Sequence, residues 1–358
     1  MMQDHRPRYN GAVLGGSRRG ALVALLASLC CLAFAAPGCA DEQVDVGPSP
    51  ILNVRLTHGK LTISTWDRPL VQISSNKPVN VRHIAPSQVD AWIPKQLQIS
   101  SQRIQSEHGP VALPAESFVL PELPGEHEAV MAQGSGTMTI MIPRGTAMVI
   151  AHVRSGHLTL DNYHGVFVTH VRAGGISLDH VGGTGFVETM RGRIVATNST
   201  FDRLRVRTAT GNMFFGGCTA HQIQASSVYG SIVYDNGEFQ PGLARFDSEH
   251  GDVALGVRGG AQIGAYSGTG HVISSFPDDT QIRGNPNTQQ ATVGGGGPIV
   301  TATSKNGSVY LYSGSMNDHP SVRQELSGST QLPGPRGTRP QPPRLQYRYR
   351  ERSRRTRR

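Results

Sequence analysis

Between residues 136 and 313 apolar and polar positions alternate in short runs, and glycine punctuates the runs at a near-constant spacing. The pattern glycine, any residue, apolar, any residue, apolar or small recurs as "GHLTL" at Gly156, "GGISL" at Gly174, "GRIVA" at Gly192 and "GNMFF" at Gly211. It continues as "GSIVY" at Gly230, "GDVAL" at Gly251, "GHVIS" at Gly270 and "GSVYL" at Gly307, with weaker copies at Gly59 and Gly136. Successive glycines from Gly156 to Gly307 are 18, 18, 19, 19, 21, 19 and 37 residues apart. A second alternating run precedes the glycine in "LRVRTATG", "IQASSVYG", "ARFDSEHG", "IGAYSGTG" and "VTATSKNG". Period two within the runs predicts strands. Period near 19 between them predicts stacked coils that each bury little alone and form a continuous core together. The expected fold is all-β, a single-stranded β-solenoid (β-helix-like) with coils of about 18–21 residues.

Each position in the repeat has a physical reason. The glycines stand where the chain bends between two strands, a place that calls for positive φ. Apolar residues two and four after them should face inward. Thr189, Thr208, Ser227, Ser248, Ser267 and Ser304, each three before a glycine, should form a hydroxyl column at the ~4.8 Å strand spacing. Five and six after the glycine come Asp161-Asn162, Asp179-His180, Thr197-Asn198 and Asp235-Asn236, residues that support turns with their own side chains. The 37-residue gap predicts one coil near 286–294 whose signature the "GGGG" at 294–297 interrupts. Nine such coils would make a rod of roughly 43 Å, whose N-terminal end residues 48–130 can cover against edge pairing.

The glycine-punctuated coils, with "NVRLTHGKLTISTWDRPLVQIS" and "TIMIPRGTAMVIAHVRSGHLTL", resemble the bacterial putative adhesin family of β-strand repeat proteins, a domain of unknown function. The resemblance covers roughly residues 50–313. It implies adhesion and a β-solenoid, and it brings no catalytic residues. The chain departs from the family in the Pro-rich excursion at 101–130 and in the interrupted coil.

The ends read differently. Arg6, Arg8, Arg18 and Arg19 precede an uncharged run reaching to Asp41, which predicts an export signal over residues 1–40. "APGC" resembles a lipobox and makes Cys39 the expected lipid attachment, in a bacterial cell envelope; "AFA" at 33–35 would suit ordinary cleavage instead. "SRRGAL" leaves a twin-arginine route open. Cys30 and Cys31 lie inside the signal, so Cys218 stands alone in the mature body, read as a buried apolar thiol. The body then divides into an N-terminal β region, 44–135, the solenoid repeats, 136–315, and a disordered Pro/Arg-rich tail, 316–358.

The net charge of +9 sits in that tail, since Arg336 to Arg358 holds ten arginines and one glutamate, 10 − 1 = 9. Arg348, Arg350, Arg352, Arg354, Arg355, Arg357 and Arg358 are the expected polyanion contacts. Export favours anionic lipid or an envelope polymer over nucleic acid. The body is near neutral.

Chemistry is sparse in the repeat. The glycines precede strands, whereas phosphate loops precede helices. Acidic residues such as Asp161, Asp179, Glu188, Asp202 and Asp235 are read as scattered over different columns. His152 and His170 both lie four before their glycine, so they should be neighbours on one outward column; two imidazoles alone make a weak metal candidate. The reading is a non-catalytic, adhesin-like scaffold without a cofactor, whose partner is an unspecified protein or glycan. A carbohydrate-active β-helix enzyme (polysaccharide lyase or hydrolase type) and a self-assembling envelope protein are the alternatives.

Overall fold

The computed structural model describes residues 40–89, 123, 125–277 and 280–329. Four strands come first: β1 (Ala40–Asp45), β2 (Ile51–Trp66), β3 (Leu70–Ser75) and β4 (Asn80–Ile84). Three long strands follow, β5 (Ala129–Pro143), β6 (Met148–Asp161) and β7 (His164–Asp179). Like β2, each runs straight through its signature glycine. Beyond them the chain breaks at the glycine into a longer and a shorter strand: β8 (Gly182–Arg191) and β9 (Ile194–Thr197), β10 (Thr200–Thr210) and β11 (Met213–Gly216), β12 (Thr219–Tyr229) and β13 (Ile232–Phe239), β14 (Leu243–His250) and β15 (Val253–Val257), β16 (Ala261–Ser267) and β17 (Val272–Ser275). The last strands are β18 (Gln281–Asn285), β19 (Thr288–Val293), β20 (Ile299–Asn306) and β21 (Val309–Ser313).

The long segments pair in parallel in the order β5, β2, β6, β7, β8, β10, β12, β14, β20, β16. The short segments pair in parallel as β5, β2, β6, β7, β9, β11, β13, β15, β21, β17. Both ladders pass through β7, and the start of β12 also pairs with the end of β13. Strands β7, β8, β10, β12, β13, β11 and β9 therefore close into a ring. The two ladders share one interior. Inward residues two and four after the glycines, including Leu158 and Leu160, Met213 and Phe215, and Val253 and Leu255, are buried in it, with Ser274 after Gly270 only half-buried. Tyr234 sits among Phe215, Phe239 and Phe246, with ring centroids 6.0, 4.7 and 5.3 Å away.

Local geometry follows the repeat closely. Asn162, His180, Asn198 and Asn236 all take left-handed φ of 50–53°. Where "GG" replaces that pair, Gly217 takes the same position with φ 61°. The hydroxyl column is buried, but apart from Thr208, whose hydroxyl makes no hydrogen bond, it caps carbonyls and does not run hydroxyl to hydroxyl. Thr189, Ser227, Ser248, Ser267 and Ser304 donate to the carbonyls of Gly174, Gly211, Gly230, Gly307 and Gly251 at 2.8–3.5 Å. The signature glycines are forced by proximity as well as by φ: at Gly174, with φ +135°, an added Cβ would stand 1.6 Å from the carbonyl oxygen of Gly156. Gly270 and Gly307 keep the register without left-handed φ; there only close approach requires glycine, a Cβ on Gly270 meeting the Gly307 oxygen at 2.6 Å.

The ends of the stack depart from expectation. The region 286–294 is not an interrupted coil: β18 and β19 form an antiparallel hairpin laid on β16. The coil of residues 299–313 inserts between those of 243–257 and 261–275. The N-terminal end repeats the device. There β2 inserts between β5 and β6, antiparallel β3 and β4 cover β5, and β1 pairs with β3. A bare parallel edge would leave a row of unpaired backbone groups, which antiparallel strands satisfy over short loops.

The segment from residue 316, expected to begin the disordered tail, folds back onto the sheet. A 3-10 turn, Met316–Asp318, leads into helix α1 (Pro320–Ser329). Met316, Val322 and Leu326 bury against Val233, Ala254, Tyr310 and Tyr312 on the outside of the short ladder. Asp235 anchors the turn. Its Oδ1 accepts from the Met316 amide at 2.6 Å and the Tyr312 hydroxyl at 3.1 Å. Only three apolar residues carry this packing, which is why the sequence pattern does not announce it.

Candidate functional site: the outer long face

Because alternate residues of a strand point to opposite faces, the inward Leu204, Val206 and Thr208 of β10 place Arg203, Arg205 and Arg207 on the outside of the long ladder. Register carries these columns across the stack. Arg203, Arg205 and Arg207 stand beside Gln222, Gln224 and Ser226 of β12. Gln224 and Ser226 stand beside Arg245 and Asp247 of β14, which neighbour Thr301 and Thr303 of β20. Thr303 neighbours Tyr266 of β16.

This half of the face is open. Leu243, Ile299, Tyr266 and Tyr229 are 46, 57, 49 and 55 % exposed. Arg245 pairs with Asp247 at 2.5 Å and Lys305 with Glu249 at 2.8 Å. Arg203 donates to the Gln222 amide oxygen at 3.2 Å. At the glycine corner Tyr229 stacks on His250, with centroids 4.7 Å apart and planes within 6°. The other half of the same face, over β2, β6 and β7, is closed: Ile51, Asn53 and Ile150 are fully buried, and Val89 and Leu123 pack there.

His152 and His170 are direct neighbours, as their equal distance from the glycine implies. Their ring centroids are 6.1 Å apart. The next residue in that column is Glu188, and His170 Nδ1 lies 3.7 Å from Glu188 Oε2, both side chains largely buried. Glu188 also stands four before its glycine, so the same counting could have found it. A tighter group forms elsewhere. Asp161, Asp179 and His180 offer ligand atoms within 4.8 Å of one another, which corrects the reading of these acids as scattered. Asp161 and Asp179 are register partners. Asp179 accepts from Thr197 Oγ1 at 2.6 Å and Asn198 Nδ2 at 3.4 Å. The Thr197 hydrogen bond, foremost, holds its carboxyl below the usual range against partial burial, with His180 and Asn198 adding to the effect.

The break in the repeat at Gly216-Gly217-Cys218 is structural. Gly217 supplies the left-handed turn. Cys218 is buried and free, and its Sγ donates to the carbonyls of Ala196 and Gly216 at 3.6 and 3.7 Å. Burial pushes its thiol up to about 11, so it is a poor nucleophile at neutral pH. Cys39 and Arg348 to Arg358 lie outside the described residues. Among the described residues no helix is long and apolar enough to cross a membrane.

No family model matches the chain. No curated protein matches it either. Among solved structures, the chain is similar to a putative cell adhesion protein from Clostridium sporogenes ATCC 15579, at 10% identity and a TM-score of 0.19, covering 77% of this chain and 99% of that one. A likeness at that score carries no inference about function.

Proposed function

We propose that this chain is a non-catalytic, exported β-solenoid that works as an adhesin-like scaffold, held in the bacterial envelope by a lipid on Cys39 and presenting its outer long face to another macromolecule. One observation carries the reading: on β10, β12, β14, β20 and β16 the outward side chains form open in-register columns of arginine, amide, hydroxyl and tyrosine. An extended array of that kind suits a long ligand. The basic tail then adds attraction to anionic lipid or envelope polymer.

The enzyme reading has one observation of its own, the close Asp161, Asp179 and His180, because paired carboxylates can serve glycoside chemistry. The self-assembly reading is disfavoured by the antiparallel strands that cover β5 and β16. A panel of glycans and intact cells presented to the full-length protein decides among these. Binding without turnover, retained in Asp161→Asn with Asp179→Asn, is the expected result. Chain cleavage of any polysaccharide that disappears in that variant would overturn it. Labelling cells with a fatty-acid probe tests anchoring separately: label should enter the wild type and be lost in Cys39→Ala.

A further inference from the structure

Resting on the scaffold reading, we infer that the open half of the long face binds a linear acidic polysaccharide. The first support is a row of cations. Arg203, Arg205 and Arg207 project from one strand at a two-residue repeat, roughly 6.6 Å along β10, Arg203 exposed and Arg205 and Arg207 half-buried. A guanidinium matches a carboxylate or sulfate with two parallel hydrogen bonds.

The second support is how the acids of this region are placed. Asp247 and Glu249 are each paired, to Arg245 and Lys305. Glu188, beside Arg207 in the ladder, is buried against His170. Asp202 lies exposed at the register shift where β10 starts, next to Arg203. The outward charges of β10, β12, β14 and β20 are thus Arg203, Arg205, Arg207, Arg245 and Lys305 against Asp202, Asp247 and Glu249, 5 − 3 = +2.

The third support selects sugar over a bare polyanion. The column from Arg207 through Ser226, Asp247 and Thr303 to Tyr266 crosses four strand spacings, roughly 19 Å. Gln222 and Gln224 lie next to the arginines, and exposed Leu243, Ile299 and Tyr266 lie at the far side. Amides and hydroxyls suit sugar hydroxyls, while exposed tyrosine and aliphatic side chains suit the apolar faces of sugar rings. A polyphosphate would use the arginines and leave the rest idle.

The test uses the full-length chain, so that the basic tail is constant throughout, with polygalacturonate, neutral dextran and polyphosphate as probes. Wild type should bind polygalacturonate and not dextran. Arg203→Gln with Arg207→Gln should weaken polygalacturonate binding by roughly tenfold or more, since it removes two charge-assisted contacts, with the melting curve unchanged. Tyr266→Ala should weaken polygalacturonate and leave polyphosphate unchanged. Polygalacturonate binding indifferent to the arginine pair would assign the affinity to the tail and overturn the proposal. So would a Tyr266→Ala variant that behaves as wild type on every probe. If the protein captures some other glycan or cell surface while these variants change nothing, the scaffold reading stands and the acidic-polysaccharide assignment falls. If nothing on the panel is bound, both fall.

Discussion

Replacing Gly174 with alanine measures how tightly the coils are stacked. Two costs combine there. The residue sits at φ +135°, and holding an L side chain in such a conformation costs about 1–2 kcal/mol. The new Cβ would also lie 1.6 Å from the Gly156 oxygen, so the two coils must part until the contact reaches about 3.4 Å. That stretches the ladder hydrogen bonds flanking the glycines, each worth about 1 kcal/mol net. Two lost bonds bring the total to about 3–4 kcal/mol. Two companions separate the terms. Gly259 has φ +96° with nothing within 4 Å of a built Cβ, so Gly259→Ala should cost only the φ penalty, about 1–2 kcal/mol. Gly264 has neither feature, and Gly264→Ala should be neutral or stabilising by up to about 1 kcal/mol. Urea unfolding followed by circular dichroism ranks the three, provided the m-values agree. A Gly174→Ala variant no less stable than Gly259→Ala would refute the steric account of the glycine column.

Three further outcomes follow from single contacts. Asp235→Ala removes the acceptor for the Met316 amide and strands the buried Tyr312 hydroxyl, so it should destabilise by about 1–3 kcal/mol and speed tryptic cleavage at Arg323; unchanged cleavage would mean that α1 is held by its apolar contacts alone. Cys218, with its thiol raised to about 11 and buried, should resist alkylation at pH 8 until the protein unfolds, and reaction of the native state at the free-thiol rate would contradict the packing. His157 has its pKa lowered below 6.5 by burial first, then by Lys60 and Arg193. Its neutral form is therefore favoured by folding, the associated stability is complete above pH 6.5, and it is lost as the pH falls through the folded value; an NMR titration should show a midpoint below 6.5 that rises in Lys60→Ala.

The coil was legible residue by residue. The left-handed Asn162, His180, Asn198 and Asn236, the inward Met213 and Phe215, and the buried Ser and Thr column all lie where counting from the glycines places them. The pairing of His152 with His170 came from the same count. What escaped was contact between columns and partners far apart in the chain. Asp161 and Asp179 read as turn residues, although their equal offset from Gly156 and Gly174 already puts them side by side. The binding of α1 by Asp235 had no signal, because one turn aspartate and three apolar residues look like any polar segment.

By itself the sequence determined the all-β class and which side of each strand faces inward, because those depend on backbone alternation and on local turn conformations that few residues can adopt; the closure of seven strands into a ring, where the repeat predicts an open single-stranded solenoid, came from the tertiary structure. Only the tertiary structure decided which coil lies beside which at the two ends, where β2 and β20 insert out of chain order. Parallel ladder bonds are made by backbone groups common to every residue, so a repeated signature is satisfied equally by any in-register neighbour. The choice falls to loop closure and to the need to cover the edges. The same cause divides the long face into a closed half and an open one, and so settles which arginines and tyrosines meet solvent.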